Sequence, residues 1–275
     1  MSTYYIPGSN IKASILEPST PTGHAHLYLA SGDTQKGRVL GSVNAGTSNP
    51  GKVFAVGLGG INGGFKIALK DAGQNTKGYQ PMHNDLYQAT RQGFGATGQY
   101  QDSSYPALFS CIMKPDPNFN LFEYDGIVFV DVFTKLTYPN QNDNNYAMIY
   151  VMPPNFSHYN TQQDFLDAVV KTNITLIKCV TDYNQYITQG HPGTNGLQAI
   201  NTIRMCLFSG GWYRGSATVD EVAIANLKGL ERGIQNNPTA SQSIECIEFE
   251  NSYSADAGHG AFTEIKSQLA TKPSS

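Results

Sequence analysis

Apolar residues along the chain fall into two kinds of spacing, separated by long glycine- and polar-rich stretches. Near-continuous apolar runs at Gly126–Phe133, Tyr146–Met152 and Ile200–Phe208 predict strands covered on both faces. Gly23–Ala30, Gly37–Asn44, Tyr105–Met113 and Ser243–Phe249 predict further strands. Thr161 can cap a helix carrying Phe165, Leu166, Val169 and Val170 at helical spacing. The clearest helix is Thr218–Ile234, with Val222, Ala225, Leu227, Leu230 and Ile234 on its inner side. Shorter helices are predicted over Gly64–Asp71, stopped by Gly73, and over residues 261–270.

Alternating strands and helices predict an α/β fold, with a mostly parallel central sheet between helical layers. Ligands of such sheets sit outside the carboxyl ends of the strands, and the unusual loops of this chain all follow predicted strands. Residues 1–23 hold Pro7, Pro18 and Pro21 and read as an irregular N-terminal arm. A single domain is expected over 24–251, with a weakly patterned insertion at about 74–122 and a C-terminal extension over 252–275.

Composition narrows the function classes. A chain of 275 residues that is 40% hydrophobic, with 16 Tyr and 13 Phe, is not disordered. No apolar run approaches the roughly 20 residues of a spanning helix, and the N-terminus lacks a signal-peptide pattern. A cytoplasmic protein without a membrane partner is therefore expected, export without a cleaved signal remaining open. With 18 basic against 21 acidic residues the net charge is −3. Nucleic-acid binders normally carry a basic excess, so no nucleic-acid partner is expected. A small diphosphate needs no such excess, because backbone N–H groups can neutralise it locally.

Cys111, Cys179, Cys206 and Cys246 are widely spaced, so neither zinc nor another metal is expected, and they read as buried free thiols. His24 and His26 alternate on one strand face without a third ligand, and His83 with Asp85 reads as structural. There is no G-x-S-x-G elbow and no Walker Gly-Lys-Ser/Thr.

Three constellations carry candidate chemistry. Val43-Asn44-Ala45-Gly46-Thr47 leads into Gly57-Leu-Gly-Gly-Ile-Asn-Gly-Gly64 and a helix, where glycine lets backbone amides approach a phosphate. The spacing is not that of a dinucleotide-binding turn, since Asn62 stands at the third glycine position. Cys206-Leu-Phe-Ser-Gly-Gly-Trp-Tyr-Arg-Gly215 ends a strand in Ser-Gly-Gly beside the chain's single tryptophan. Gly32-Asp33-Thr34 places an acid just past a strand, where it can accept a hydrogen bond from an adenine amino group or cap a turn.

In that order and at strand ends, these stretches resemble the ligand loops of the macro domain family. Its members carry a Gly-Asp-Ile-Thr turn, Val-Asn-Ala-Ala-Asn, Gly-Gly-Gly-Val-Asp-Gly-Ala-Ile and a strand ending Ser-Thr-Gly-Ile-Tyr/Phe-Gly. The resemblance covers residues 27–250, and Met148–Pro153 fits the family strand that ends in proline. It implies a three-layer macro-like fold that binds ADP-ribose or an ADP-ribosylated acceptor without a cofactor. Carried over by position, Asp33 contacts adenine and Asn44 faces the distal ribose, with Thr47 in the same loop. Gly59, Gly60, Ile61, Asn62, Gly63 and Gly64 enclose the diphosphate and distal ribose from one side. Ser209, Gly210, Gly211, Trp212 and Tyr213 enclose them from the other. Phe249 and Asn251 line the adenine end.

Catalysis is where the chain departs from the family. Its best-known hydrolase branch uses the second Asn of Val-Asn-Ala-Ala-Asn and the Asp of Gly-Val-Asp, and here those positions are Thr47 and Asn62. Neither is a carboxylate base, so that mechanism does not transfer. The expectation is ADP-ribose binding with hydrolysis of an ADP-ribosyl linkage, Asn62 positioning and Asp220 or Glu221 assisting. Both acids also suit the N-terminal turn of a helix. The rivals are a reader without chemistry and, more distantly, a nucleotide-sugar or dinucleotide enzyme.

Overall fold

The computed structural model describes residues 3–16, 39–44, 99–102, 105–109, 128–133, 146–151, 153–189, 199–250 and 265–271. Among the described residues ten strands form one sheet: β1 (Tyr4–Tyr5), β2 (Lys12–Leu16), β3 (Leu40–Asn44), β4 (Gln99–Asp102), β5 (Tyr105–Phe109), β6 (Val128–Phe133), β7 (Tyr146–Val151), β8 (Thr202–Met205), β9 (Cys246–Glu250) and β10 (Ala270–Thr271). Their order is β10-β1-β2-β9-β8-β3-β7-β6-β5-β4. The central five, β2-β9-β8-β3-β7, are joined by parallel ladders. Both flanks are antiparallel. The expected α/β class with a parallel centre is thus present.

Among the described residues, the long helices beside the sheet are α1 (Gln162–Thr188) and α2 (Val219–Asn236), with the short α3 (Ala240–Ser243) following α2. Thr161 opens α1 as expected, its Oγ1 accepting from the Asp164 amide at 3.1 Å. Helix α2 starts with a capping box in which Thr218 and Glu221 each satisfy the other's backbone amide. Val222, Ala225, Leu227, Leu230 and Ile234 are all buried, as their spacing predicts. Ile203 and Met205 of β8, Ile247 and Phe249 of β9, and Val43 of β3 are fully buried in a cluster with Ile177 and Val180 of α1 and Leu230 of α2. Alternation along β8 and β9 therefore sends Arg204, Glu248 and Glu250 to the opposite face.

The two long helices approach closely because α2 offers Gly229 and Gly233 to α1. A Cβ on Gly229 would come 2.5 Å from the Val170 carbonyl oxygen, and one on Gly233 would come 2.9 Å from the Ile177 Cβ. Burial of Phe165, Val169, Val170 and Val222 continues this interface toward the start of both helices.

Several sequence expectations need correction. Residues 4–16, read as part of an irregular arm, instead supply β1 and β2, and Ile6, Ile11 and Ala13 enter the core. Within the stretch read as an insertion, β5 matches the strand expected over Tyr105–Met113, while β4 is an unexpected strand beside it at the sheet edge. Of the helix expected over 261–270, residues 265–268 are helical among the described residues, and Ala270–Thr271 pairs with β1. In each case long-range pairing overrides a weak local pattern. The expected strand at 23–30 and helix at 64–71 lie outside the described residues.

Candidate functional site

The parallel strands β9, β8 and β3 are consecutive in the sheet and end at the same edge. That edge carries Asn44 at the end of β3, the Ser209–Tyr213 loop after β8, and Glu250 at the end of β9. Asn44 is the last residue of β3, and the backbone of β3 is in register with β8 from Leu40↔Thr202 to Ser42↔Arg204. Asp33, Thr47, Gly59, Gly60, Ile61, Asn62, Gly63, Gly64 and Asn251 lie outside the described residues, as do His24, His26, His83 and Asp85.

The loop after β8 is built from the backbone outward. Ser209 has φ 58°, a left-handed conformation that L residues rarely adopt. It is buried, and its Oγ donates to the Pro154 carbonyl at 2.6 Å, which ties the loop to the segment after β7. Gly210 donates its amide to the Leu207 carbonyl at 3.2 Å, and a Cβ there would lie 2.8 Å from the Leu207 Cβ. Gly211 is exposed, and a Cβ there would meet nothing within 4 Å. Trp212, Tyr213 and Arg214 then form a 3-10 turn. Gly215, at φ 58°, passes so close to Phe156 that a Cβ would sit 2.5 Å from its ring.

Beneath the loop lies a buried amide pair that the sequence reading missed. Phe208 donates its N–H to Asn226 Oδ1 at 3.0 Å and accepts at its carbonyl from Asn226 Nδ2 at 3.1 Å. The same amide donates to the Val222 carbonyl at 2.8 Å and accepts from Asn173 Nδ2 at 3.0 Å. The signal available in the sequence was a polar residue set between Ala225 and Leu227 on the inner side of α2.

Helix α2 caps part of its N-terminus with its own side chains. The Glu221 amide is taken by Thr218 Oγ1, and Glu221 Oε2 accepts from the Thr218 amide at 2.8 Å and its hydroxyl at 2.9 Å. Gln162 Nε2 donates to Glu221 Oε1 at 2.8 Å. Hydrogen bonds from the Thr218 backbone and hydroxyl hold the Glu221 carboxyl below its ordinary range, with Gln162 adding to them. Glu221 therefore serves the helix cap, and a lowered, fully engaged carboxylate is a poor general base. Asp220 is exposed in the first turn of α2.

Ionisable side chains are also buried on the face of the sheet opposite α1 and α2. Arg204 Nε pairs with Glu248 Oε2 at 2.7 Å. Glu250, at the end of β9, is fully buried, and neither carboxyl oxygen has a hydrogen-bond partner among the described residues. Burial pushes it up to about 8, opposed in part by the Arg204 charge. Burial, with Glu250 adding to it, pushes the Cys206 thiol up to about 12, so it stays protonated and is no nucleophile at neutral pH. Phe249, expected at the adenine end, is instead in the core, so Glu250 is the side chain β9 turns to the other face at this edge. Among the described residues no cluster of three His, Cys, Asp or Glu could hold a metal ion, and no helix is long and apolar enough to cross a membrane.

Fold and loop geometry define an α/β domain with a glycine-containing loop at the carboxyl edge of its parallel strands. No family model matches the chain. It is 28% identical over 257 residues to the DNA/RNA-binding protein ALBA4 of Plasmodium falciparum (isolate 3D7), covering 86% of this chain and 67% of that protein. It is 29% identical over 213 residues to the DNA/RNA-binding protein ALBA4 of Plasmodium yoelii yoelii, covering 72% of this chain but 54% of that one. Among solved structures, the Oceanobacillus iheyensis macrodomain with MES bound overlaps 98% of this chain and 95% of its own. Its TM-score is 0.46 and its identity 12%, and a point mutant of that macrodomain gives the same values. An overlap that loose carries no functional argument.

Proposed function

We propose that the chain binds ADP-ribose at the carboxyl edge of β9, β8 and β3, with the Ser209–Tyr213 loop against the diphosphate. The observation that carries this reading is the loop itself: Ser209 is held in a left-handed turn while Gly211 stays open above its backbone. Backbone amides at such a turn can meet an anion without a lysine, which agrees with a chain of net charge −3. The resemblance of Val43–Thr47, Gly59–Gly64 and Ser209–Tyr213 to macro domain loops names ADP-ribose among diphosphates. Asn44 would face the distal ribose. Binding without chemistry is favoured over hydrolysis, since Glu221 is committed to its cap and Thr47 and Asn62 are not carboxylates.

The relatives named as DNA/RNA-binding favour a second reading, in which the same edge takes the phosphodiester of RNA or DNA. That revises the expectation of no nucleic-acid partner into a question for experiment. Titration calorimetry with ADP-ribose, and with a single-stranded RNA at two salt concentrations, separates the two. ADP-ribose binding that is lost in Gly211→Glu at unchanged melting temperature is the expected result. The new carboxylate has room, so it repels a diphosphate without disturbing the fold. Absence of ADP-ribose binding at millimolar concentration, with salt-sensitive RNA binding instead, would transfer the site to nucleic acid. ADP-ribose release from modified acceptors under turnover conditions would restore the hydrolase reading.

A further inference from the structure

We propose that Asn226 is the positioning residue of the loop after β8, holding Phe208 so that the open turn at Gly211 presents its backbone to the ligand; this rests on the reading that the loop contacts a diphosphate. Strand β8 ends at Met205, so Phe208 has left the sheet ladder and its N–H and C=O need partners. Asn226 supplies both from the middle of α2, as a neighbouring strand would. Its amide has two donor hydrogens and two acceptor lone pairs, and all four are used: two on Phe208, one on Val222, one on Asn173. The side chain is fully buried, so no water can replace these bonds.

The clamp acts on the residue just before the left-handed one. Ser209 is bound from the opposite side by its hydroxyl to Pro154. The turn is thus fixed at two consecutive residues by two different elements, and Gly210 and Gly211 follow from a set direction. A leucine at 226 fills a similar volume but offers neither donor nor acceptor, which frees Phe208 to turn and relax Ser209 toward negative φ. Amides that must find their geometry at each binding event bind an anion more weakly than preorganised ones.

Trp212 is the only tryptophan in the chain and lies four residues after Phe208, so its emission reports on the loop. The test compares the full chain with Asn226→Leu and with Ile177→Ala, a control that loosens the α1–α2 interface where it meets Gly233. Asn226→Leu should shift Trp212 emission, speed hydrogen exchange at residues 208–211, and weaken ADP-ribose about tenfold or more. Ile177→Ala should lower the melting temperature and leave emission and affinity as they were. If Asn226→Leu does not fold, Asn226→Ser, which keeps one donor and acceptor, takes its place with a smaller expected loss. A folded variant with unchanged emission, exchange and affinity overturns the proposal. If the wild-type chain fails to bind ADP-ribose, the binding reading falls, while emission and exchange still decide whether Asn226 holds the loop.

Discussion

Glu250→Gln offers a direct test of the buried carboxyl group at the end of β9. The carboxyl is fully buried without a hydrogen-bond partner among the described residues, and burial raises it from an ordinary 4.5 to about 8. The folded protein therefore keeps a proton that the unfolded chain releases near pH 4.5. Its stabilising effect is fully present below that pH and is lost as pH rises through the folded value near 8. Between pH 5 and pH 8, one group with those two values removes about 3–4 kcal/mol of stability, taking about 1.4 kcal/mol per unit. Glutamine keeps the shape and abolishes the titration. Urea unfolding of both proteins at pH 5, 6, 7 and 8 and constant ionic strength gives the difference curve. The two should differ little in slope below pH 5, and the variant should gain stability relative to wild type from there to pH 8. Groups shared by both proteins cancel in that difference, and neither Cys206, raised to about 12, nor Glu221, lowered, titrates in the window. Parallel curves from pH 5 to pH 8 would refute the assignment of a buried, protonated Glu250.

Other perturbations test the packing around the loop. Gly229→Ala would drive a methyl group to 2.5 Å from the Val170 carbonyl oxygen and should cost about 1–3 kcal/mol in thermal or chemical unfolding. Thr218→Ala removes the side chain that caps α2 and should cost about 1 kcal/mol, with little change in far-ultraviolet circular dichroism. Arg204→Met removes the guanidinium bonded to the buried Glu248 carboxylate and should cost about 3–5 kcal/mol by urea titration. Adding Glu248→Leu to that variant should recover part of the loss, since the buried carboxylate that lost its guanidinium is then replaced by an apolar group. A double variant no more stable than Arg204→Met alone would count against that account.

The elements that sequence alone determined are those whose periodicity is strong and local. The cap at Thr218 and the stripe from Val222 to Ile234 specify α2, and the apolar runs at 128–133 and 146–151 specify β6 and β7. The placement of Asn44 at a strand end was legible for the same reason, whereas the strand expected to run to Phe208 ends at Met205, three residues earlier. Lys12–Leu16 and Gln99–Asp102 were not legible. Their residues are mixed or polar, and they are strands because β9 and β5 offer them hydrogen-bonding edges. Side-chain direction at the site was likewise a tertiary outcome. Strand alternation requires Phe249 and Glu250 to face opposite ways, but only the docking of α1 and α2 decides which of the two enters the core. Asn226 shows the same division most plainly. In sequence it is a polar residue on an apolar helix face, and in the structure it holds a residue 18 positions away because the chain folds back between them. Local propensity is carried by neighbouring residues, whereas the partner of a buried polar group is set by the packing of elements distant in the chain.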